Sequence, residues 1–136
     1  MSAQEAWSLL EQDPDAQLID VRTAAEWVFV GLPDLSPLGR EVKRIEWQLF
    51  PSMTANPDFV TTVTQAVARG GGDRDTPILF ICRSGARSRS AAIAMTGAGF
   101  SRAYNVSDGF EGDLDDGGHR GGKNGWKASG LPWRQT

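Results

Sequence analysis

The chain holds a single cysteine, Cys82, followed by Arg83-Ser84-Gly85-Ala86-Arg87-Ser88. These residue types at this spacing suit a nucleophilic sulfur held in an anion-binding nest. A short turn wrapped round a thiol and running into a helix aims several backbone N–H groups inward, at the positive end of the helix dipole. Such a field favours the ionised sulfur, which is the nucleophile. Gly85 supplies backbone angles that a side chain forbids. Ser88 is placed to cap the helix and to donate a hydrogen bond to the sulfur. Arg83, Arg87 and Arg89 give residues 82–90 a charge of +3, leaving −6 for the rest of a chain whose formal charge is −3. An anionic substrate would be drawn to this spot. Closing a buried strand is the commoner fate of a free cysteine, but it explains neither the three arginines nor the glycine that follow.

The elements that must position this loop are legible on either side of it. Pro77 to Cys82 is nearly all apolar, as expected of a strand buried on both faces of a parallel sheet. Ser88 to Met95 reads as the helix after the loop, with Ala91, Ala92 and Ala94 small enough for close approach to the sheet. Upstream, Ser2 and Glu5 have the capping-box spacing, so residues 3–12 read as a helix ending before Asp13-Pro14. Gln17 to Val21 reads as a strand. Thr23 and Glu26 repeat the capping box and start a short helix that ends near Gly31, followed by a loop over residues 31–41 and a strand over Val42 to Trp47. Asn56-Pro57-Asp58 has the form of a helix start with an Asn cap, and Phe59, Val60, Val63 and Val67 continue at helical spacing to Gly70-Gly71-Gly72. Ala103 to Val106 supplies another strand. Alternating strands and helices specify a mostly parallel α/β domain whose ligands sit outside the carboxyl ends of the strands. Six of the fourteen residues from Gly112 to Gly125 are glycine, which reads as a mobile loop, and Trp126 and Trp133 then pack a short segment onto the domain.

Composition narrows the function classes. A chain of 136 residues, 40% hydrophobic, suits one domain over residues 1–136. The acidic balance argues against a nucleic-acid binder. One thiol excludes an internal disulfide and a multi-thiolate zinc site, and fits a reducing compartment. Acidic residues Glu5, Glu11, Asp13 and Asp15 occupy the place of a signal peptide, and no apolar run is long enough for a membrane helix. The expectation is therefore a cytoplasmic protein with no membrane or nucleic-acid partner.

The loop Cys82 to Ser88 resembles the active-site loop of rhodanese-like sulfurtransferases. Asp20-Val21-Arg22 with Glu26-Trp27 is similar to that family's early signature, Asp108-Gly109-Phe110-Glu111-Gly112 resembles the turn after its last core strand, and Gly125-Trp126-Lys127-Ala128-Ser129-Gly130-Leu131-Pro132-Trp133 looks like its closing motif. The resemblance covers about residues 3–134. It implies a three-layer α/β/α fold with a central, mostly parallel sheet of four or five strands. It also implies that Cys82 takes the outer sulfur of a small anionic donor such as thiosulfate, holds it as a persulfide and yields it to a thiol or cyanide acceptor, with a protein acceptor as a further partner. No metal or organic cofactor is implied. In that scheme the loop from Arg83 through Ser84, Gly85, Ala86, Arg87 and Ser88 binds substrate. Arg83 and Arg87 meet the donor, and Asp20 and Arg22 brace the site or form an ordinary ion pair. The chain departs from the family over residues 28–41, which lack the usual Gly-His-Ile-Pro-Gly-Ala stretch. Ile45-Glu46-Trp47 then falls at the entry to the pocket, predicting a rim enlarged by Trp47 and Phe50.

Several other readings compete. Cysteine-loop phosphatases place five residues between the cysteine and the phosphate-binding arginine, whereas four separate Cys82 from Arg87, a smaller nest better matched to a sulfane sulfur. A persulfide carrier or partner-binding module with little turnover of free thiosulfate would have the same loop. Gly117 to Lys123 has the spacing of a phosphate-binding loop, but Asn124 follows where Ser or Thr is needed. Asp113 to Asn124 echoes a calcium loop with Asn124 in place of the bidentate Glu. His119 has no second histidine to share a metal with, and Gly97-Ala98-Gly99 ends a helix where a dinucleotide motif would open one.

Overall fold

The computed structural model describes residues 1–135. Its centre is a four-stranded sheet with every pairing parallel, in the order β3-β1-β6-β7. The strands are β1 (Gln17–Asp20), β3 (Lys43–Arg44), β6 (Ile78–Ile81) and β7 (Ala103–Asn105). Two antiparallel ribbons flank it: β2 (Leu32–Pro33) with β8 (Trp133–Arg134), and β4 (Gln48–Leu49) with β5 (Thr54–Ala55).

Alternation along the central strands builds a core on each face. Leu18, Leu79 and Ile81 point to one side, where Ala3, Ala6 and Leu10 of α1 (Ala3–Gln12) meet Val106, Phe110 and Trp126. Ile19, Ile78 and Phe80 point to the other, against Phe59, Val63 and Val67 of α3 (Phe59–Arg69) and Ala91, Ala92 and Met95 of α4 (Ala86–Gly97). The three-layer α/β/α expectation is met, with four strands in the sheet. Both capping boxes form, at Ser2 and at Thr23, the latter opening α2 (Ala24–Phe29). Among the described residues no helix is long and apolar enough to cross a membrane.

Several expectations are corrected. Asn56 does not cap α3: its side-chain oxygen accepts from Asp58 N–H two residues on, its amide donates to the Glu46 carbonyl, and the helix begins at Phe59. The strand expected over Val42 to Trp47 shrinks to Lys43–Arg44, beyond which single bonds from Ile45 N–H to the Asp20 carbonyl and from Trp47 N–H to the Val21 carbonyl keep the chain beside β1. Residues 112–125 form a hydrogen-bonded loop. Asp115 Oδ1 accepts from the N–H groups of Gly117 and His119, the Arg120 guanidinium donates to the Gly112 carbonyl, and Asp113 and Asn124 are joined by two bonds. The closing segment does pack through its tryptophans: Trp126 is buried and donates to the Pro132 carbonyl, and Trp133, more exposed, sets its ring edge-on to Phe110 with the Lys127 ammonium over it.

Candidate active site

Cys82 follows the carboxyl end of β6, in the middle of the sheet, and the chain turns at once into α4. Gly85 makes that turn at φ +105°, and a Cβ there would collide with the Ser107 carbonyl. Behind it, a Cβ on Gly109 would strike the Arg83 carbonyl and the Ser84 N–H. The turn after β7 therefore packs directly against the cysteine loop, and three bonds tie it there: Phe110 N–H to the Cys82 carbonyl, and the N–H groups of Glu111 and Gly112 to the Arg83 carbonyl.

The sulfur is almost wholly buried and is met by backbone donors. Gly85 N–H reaches Sγ at 3.2 Å and Ser88 N–H at 3.4 Å, with the Ser88 hydroxyl also at 3.2 Å. Two N–H groups converging on one sulfur from the first turn of a helix form the expected nest. Ser88 reaches the sulfur but does not cap the helix; the cap position falls on Gly85, which has no side chain to use. The Ser88 hydroxyl has a second partner, Asn105 Oδ1, at 2.6 Å.

Sγ lies at the floor of an open pocket of about 370 Å³ lined by Glu26, Gln48, Met53, Arg83, Ser84, Ala86 and Arg87. Arg83 is exposed at its mouth and Arg89 lies outside the lining. Arg87 is not a free cation: its guanidinium grips both carboxylate oxygens of Glu26, at 2.7 and 2.9 Å. Burial pushes the Glu26 carboxyl up, but the hydrogen bonds and charge of Arg87, with the Thr23 backbone and the Arg22 charge, hold it below its ordinary value. The Glu26 hydrogen bond raises Arg87 above its ordinary value. The +3 expected for residues 82–90 is thus reduced by one at the pocket, and Arg83 becomes the cation available there to an anion.

Asp20 and Arg22 form a fully buried ion pair at 2.7 Å. Arg22 also donates to the Gly31 carbonyl and lies 4.4 Å from the centre of the Phe110 ring. Neither residue lines the pocket; their link to the nucleophile runs through Phe110, whose N–H bonds the Cys82 carbonyl. Trp47 is a correction. Its ring packs edge-on against Phe59, 4.9 Å between centroids, and Gln48 and Met53 of the β4–β5 ribbon take the place at the rim. Phe50 is exposed and lies outside the lining. Sequence reasoning gave Glu26 a place in the capping box and the family signature but none at the pocket, and it missed Asn105, Gln48 and Met53. The separation of 61 positions between Glu26 and Arg87 leaves no local signal of their pairing. No group of three or more His, Cys, Asp or Glu side chains suited to a metal occurs among the described residues.

Comparison with known proteins agrees with this geometry. A family model described as the STR4 middle domain matches residues 1–136. An uncharacterized protein of Rickettsia conorii is 36% identical, covering 96% of this chain and 92% of its own length. Rhodanese-like domain-containing protein 4 of Arabidopsis thaliana chloroplasts is 26% identical over 97% of this chain, which spans 25% of that protein. The thiosulfate sulfurtransferase GlpE of Actinobacillus pleuropneumoniae is 26% identical, covering 97% of this chain and 89% of the enzyme. The crystal structure of Rv0390 from M. tuberculosis superposes with a TM-score of 0.85 at 51% identity, covering 100% of this chain and 96% of that one. The fold is rhodanese-like, and these relatives support a role in sulfur transfer in general. Matched along its whole length, the chain belongs to the STR4 middle domain family.

Proposed function

We propose that the protein is a sulfurtransferase that moves a sulfane sulfur from a small anionic donor such as thiosulfate to a thiol or cyanide acceptor. The observation that carries this reading is the setting of Cys82: a sulfur at the floor of an open pocket, facing two backbone N–H groups at the head of α4, with a free arginine at the mouth. In the first half-reaction the ionised Sγ attacks the outer sulfur of the donor. A new S–S bond forms, the donor's own S–S bond breaks, and sulfite leaves with that electron pair. The resulting persulfide carries its outer sulfur into the pocket. In the second half-reaction an acceptor thiolate or cyanide attacks that outer sulfur, and the Cys82 thiolate departs and is restored. With no second cysteine in the chain, the acceptor comes from outside it, and a pocket of about 370 Å³ is in the range that admits a small organic thiol.

Mixing the purified protein with thiosulfate and measuring its intact mass tests the first step, and thiocyanate release on adding cyanide tests the second. The wild type gains one sulfur atom and Cys82→Ser gains none. No gain by the wild type, or an equal gain by the serine variant, overturns the proposal.

A further inference from the structure

Counting protons at Ser88 gives Asn105 a part in the sulfur chemistry. Ser88 is fully buried and its hydroxyl has one proton but two neighbours, Asn105 Oδ1 at 2.6 Å and Cys82 Sγ at 3.2 Å. The orientation of the Asn105 amide decides which neighbour receives it. Asn105 Nδ2 donates to the Gly85 carbonyl at 3.2 Å. Turning the amide over would set its oxygen against that carbonyl, two acceptors facing each other. The nitrogen therefore stays on Gly85 and the oxygen faces Ser88. An amide oxygen only accepts, so the Ser88 proton goes to Asn105 and a hydroxyl lone pair is left facing the sulfur. The backbone of Asn105 is held from two sides, by its register with Phe80 in the sheet and by the Met1 amine on its carbonyl.

We propose that Asn105 is a positioning residue that keeps the Ser88 proton turned away from Cys82. This rests on the reading of Cys82 as the nucleophile. The sulfur then meets two backbone donors and one lone pair. With Asn105 unable to accept, the hydroxyl turns and becomes a third donor. Each added donor stabilises the ionised sulfur, and a more stabilised thiolate is intrinsically a weaker nucleophile. Asn105 thus leaves the sulfur bound firmly enough to be held in place and loosely enough to react.

The test is the limiting rate of Cys82 alkylation by iodoacetamide, an uncharged reagent, at alkaline pH where the rate no longer rises. Four proteins complete a double-mutant cycle: wild type, Asn105→Leu, Ser88→Ala and the double variant. Asn105→Leu keeps the shape of the side chain and removes its acceptor, and thermal melting checks each fold. The limiting rate should fall about 3- to 10-fold for Asn105→Leu in the Ser88 protein and stay unchanged by the same substitution in the Ser88→Ala protein. An equal fall in both backgrounds, or no fall in the first, overturns the proposal. Should leucine spoil the melt, Asn105→Ala replaces it in the same cycle. Alkylation asks nothing of the sulfur donor, so failed turnover of thiosulfate leaves this test intact. A wild-type Cys82 inert to iodoacetamide would overturn the nucleophile reading and this proposal with it.

Discussion

Replacing Glu26 with Gln isolates the contribution of the ion pair at the pocket wall. Glutamine can still accept from Thr23 N–H at the head of α2, so the capping box is kept and the change falls on Arg87. In the wild type, two oxygens meet two guanidinium nitrogens, and the two side chains keep only 19% and 21% of their exposure. Exposed pairs contribute up to about 1 kcal/mol, and breaking a fully buried pair costs about 3–5 kcal/mol. A bidentate pair that is mostly covered and still partly screened by solvent falls between them, at about 1–2 kcal/mol. For a chain of this size that lowers Tm by roughly 3–8 °C. The dependence on pH has a definite sign. The folded value of Glu26 lies below its ordinary value of 4.5, so its stabilisation is present above about pH 4.5 and disappears as pH falls through the folded value. Urea titrations of wild type and Glu26→Gln at neutral pH and again well below pH 4.5 should show a gap that narrows in acid. A Gln variant as stable as the wild type at neutral pH, or a gap that persists undiminished in acid, would refute the reasoning.

Asp20→Ala leaves the Arg22 guanidinium buried without its carboxylate and should cost about 3–5 kcal/mol, seen as a lower urea midpoint; a loss under about 1 kcal/mol contradicts it. Gly85→Ala combines a disfavoured φ with a collision at the Ser107 carbonyl, so soluble expression or the melt should suffer more than from Gly39→Ala, where a Cβ meets nothing within 4 Å. Arg83→Gln should raise KM for thiosulfate several-fold with a smaller change in kcat, and the wild-type rate should fall with added salt while that of the variant falls less. Equal salt dependence in the two proteins argues against Arg83 as the cation that meets the donor.

What could be read from the sequence was local. Both capping boxes follow from a spacing of three residues, and the buried strand before Cys82 from an unbroken apolar run. The nest follows from a glycine and a serine placed three and six residues after the thiol. Features that failed depend on which of several partners a side chain finds in space. Asn56 spends its amide on the Glu46 carbonyl and its oxygen on Asp58, so the start of α3 moves to Phe59. Trp47 had the right position for the pocket rim, but Phe59 takes its ring. Arg87 looked free because its acid lies on a different helix, and Asn105 looked like an ordinary strand residue because Ser88 reaches it from the neighbouring helix α4. Glycine content marked residues 112–125 as a loop, but gave no sign that the interspersed Asp113, Asp115, Arg120 and Asn124 pair among themselves and with the backbone.

The supports of the cysteine loop have a consequence for the order in which the protein assembles. Glu26 and Arg87 are 61 positions apart, and the Ala3 N–H bonds the Asp108 carboxylate across 105. β1 meets β3 over two residues but lacks its longer pairing until β6 exists, and the turn that backs the cysteine follows β7. Pairings of this sequence separation incur loop-closure entropy before any contact offsets it, and they place the chain among slowly folding topologies. On an emerging polypeptide, Cys82 is therefore an ordinary thiol until residues beyond 110 have been made and docked. The setting proposed to make it reactive belongs to the completed native state, so the rate at which an uncharged reagent captures this one sulfur would also serve as a clock for folding.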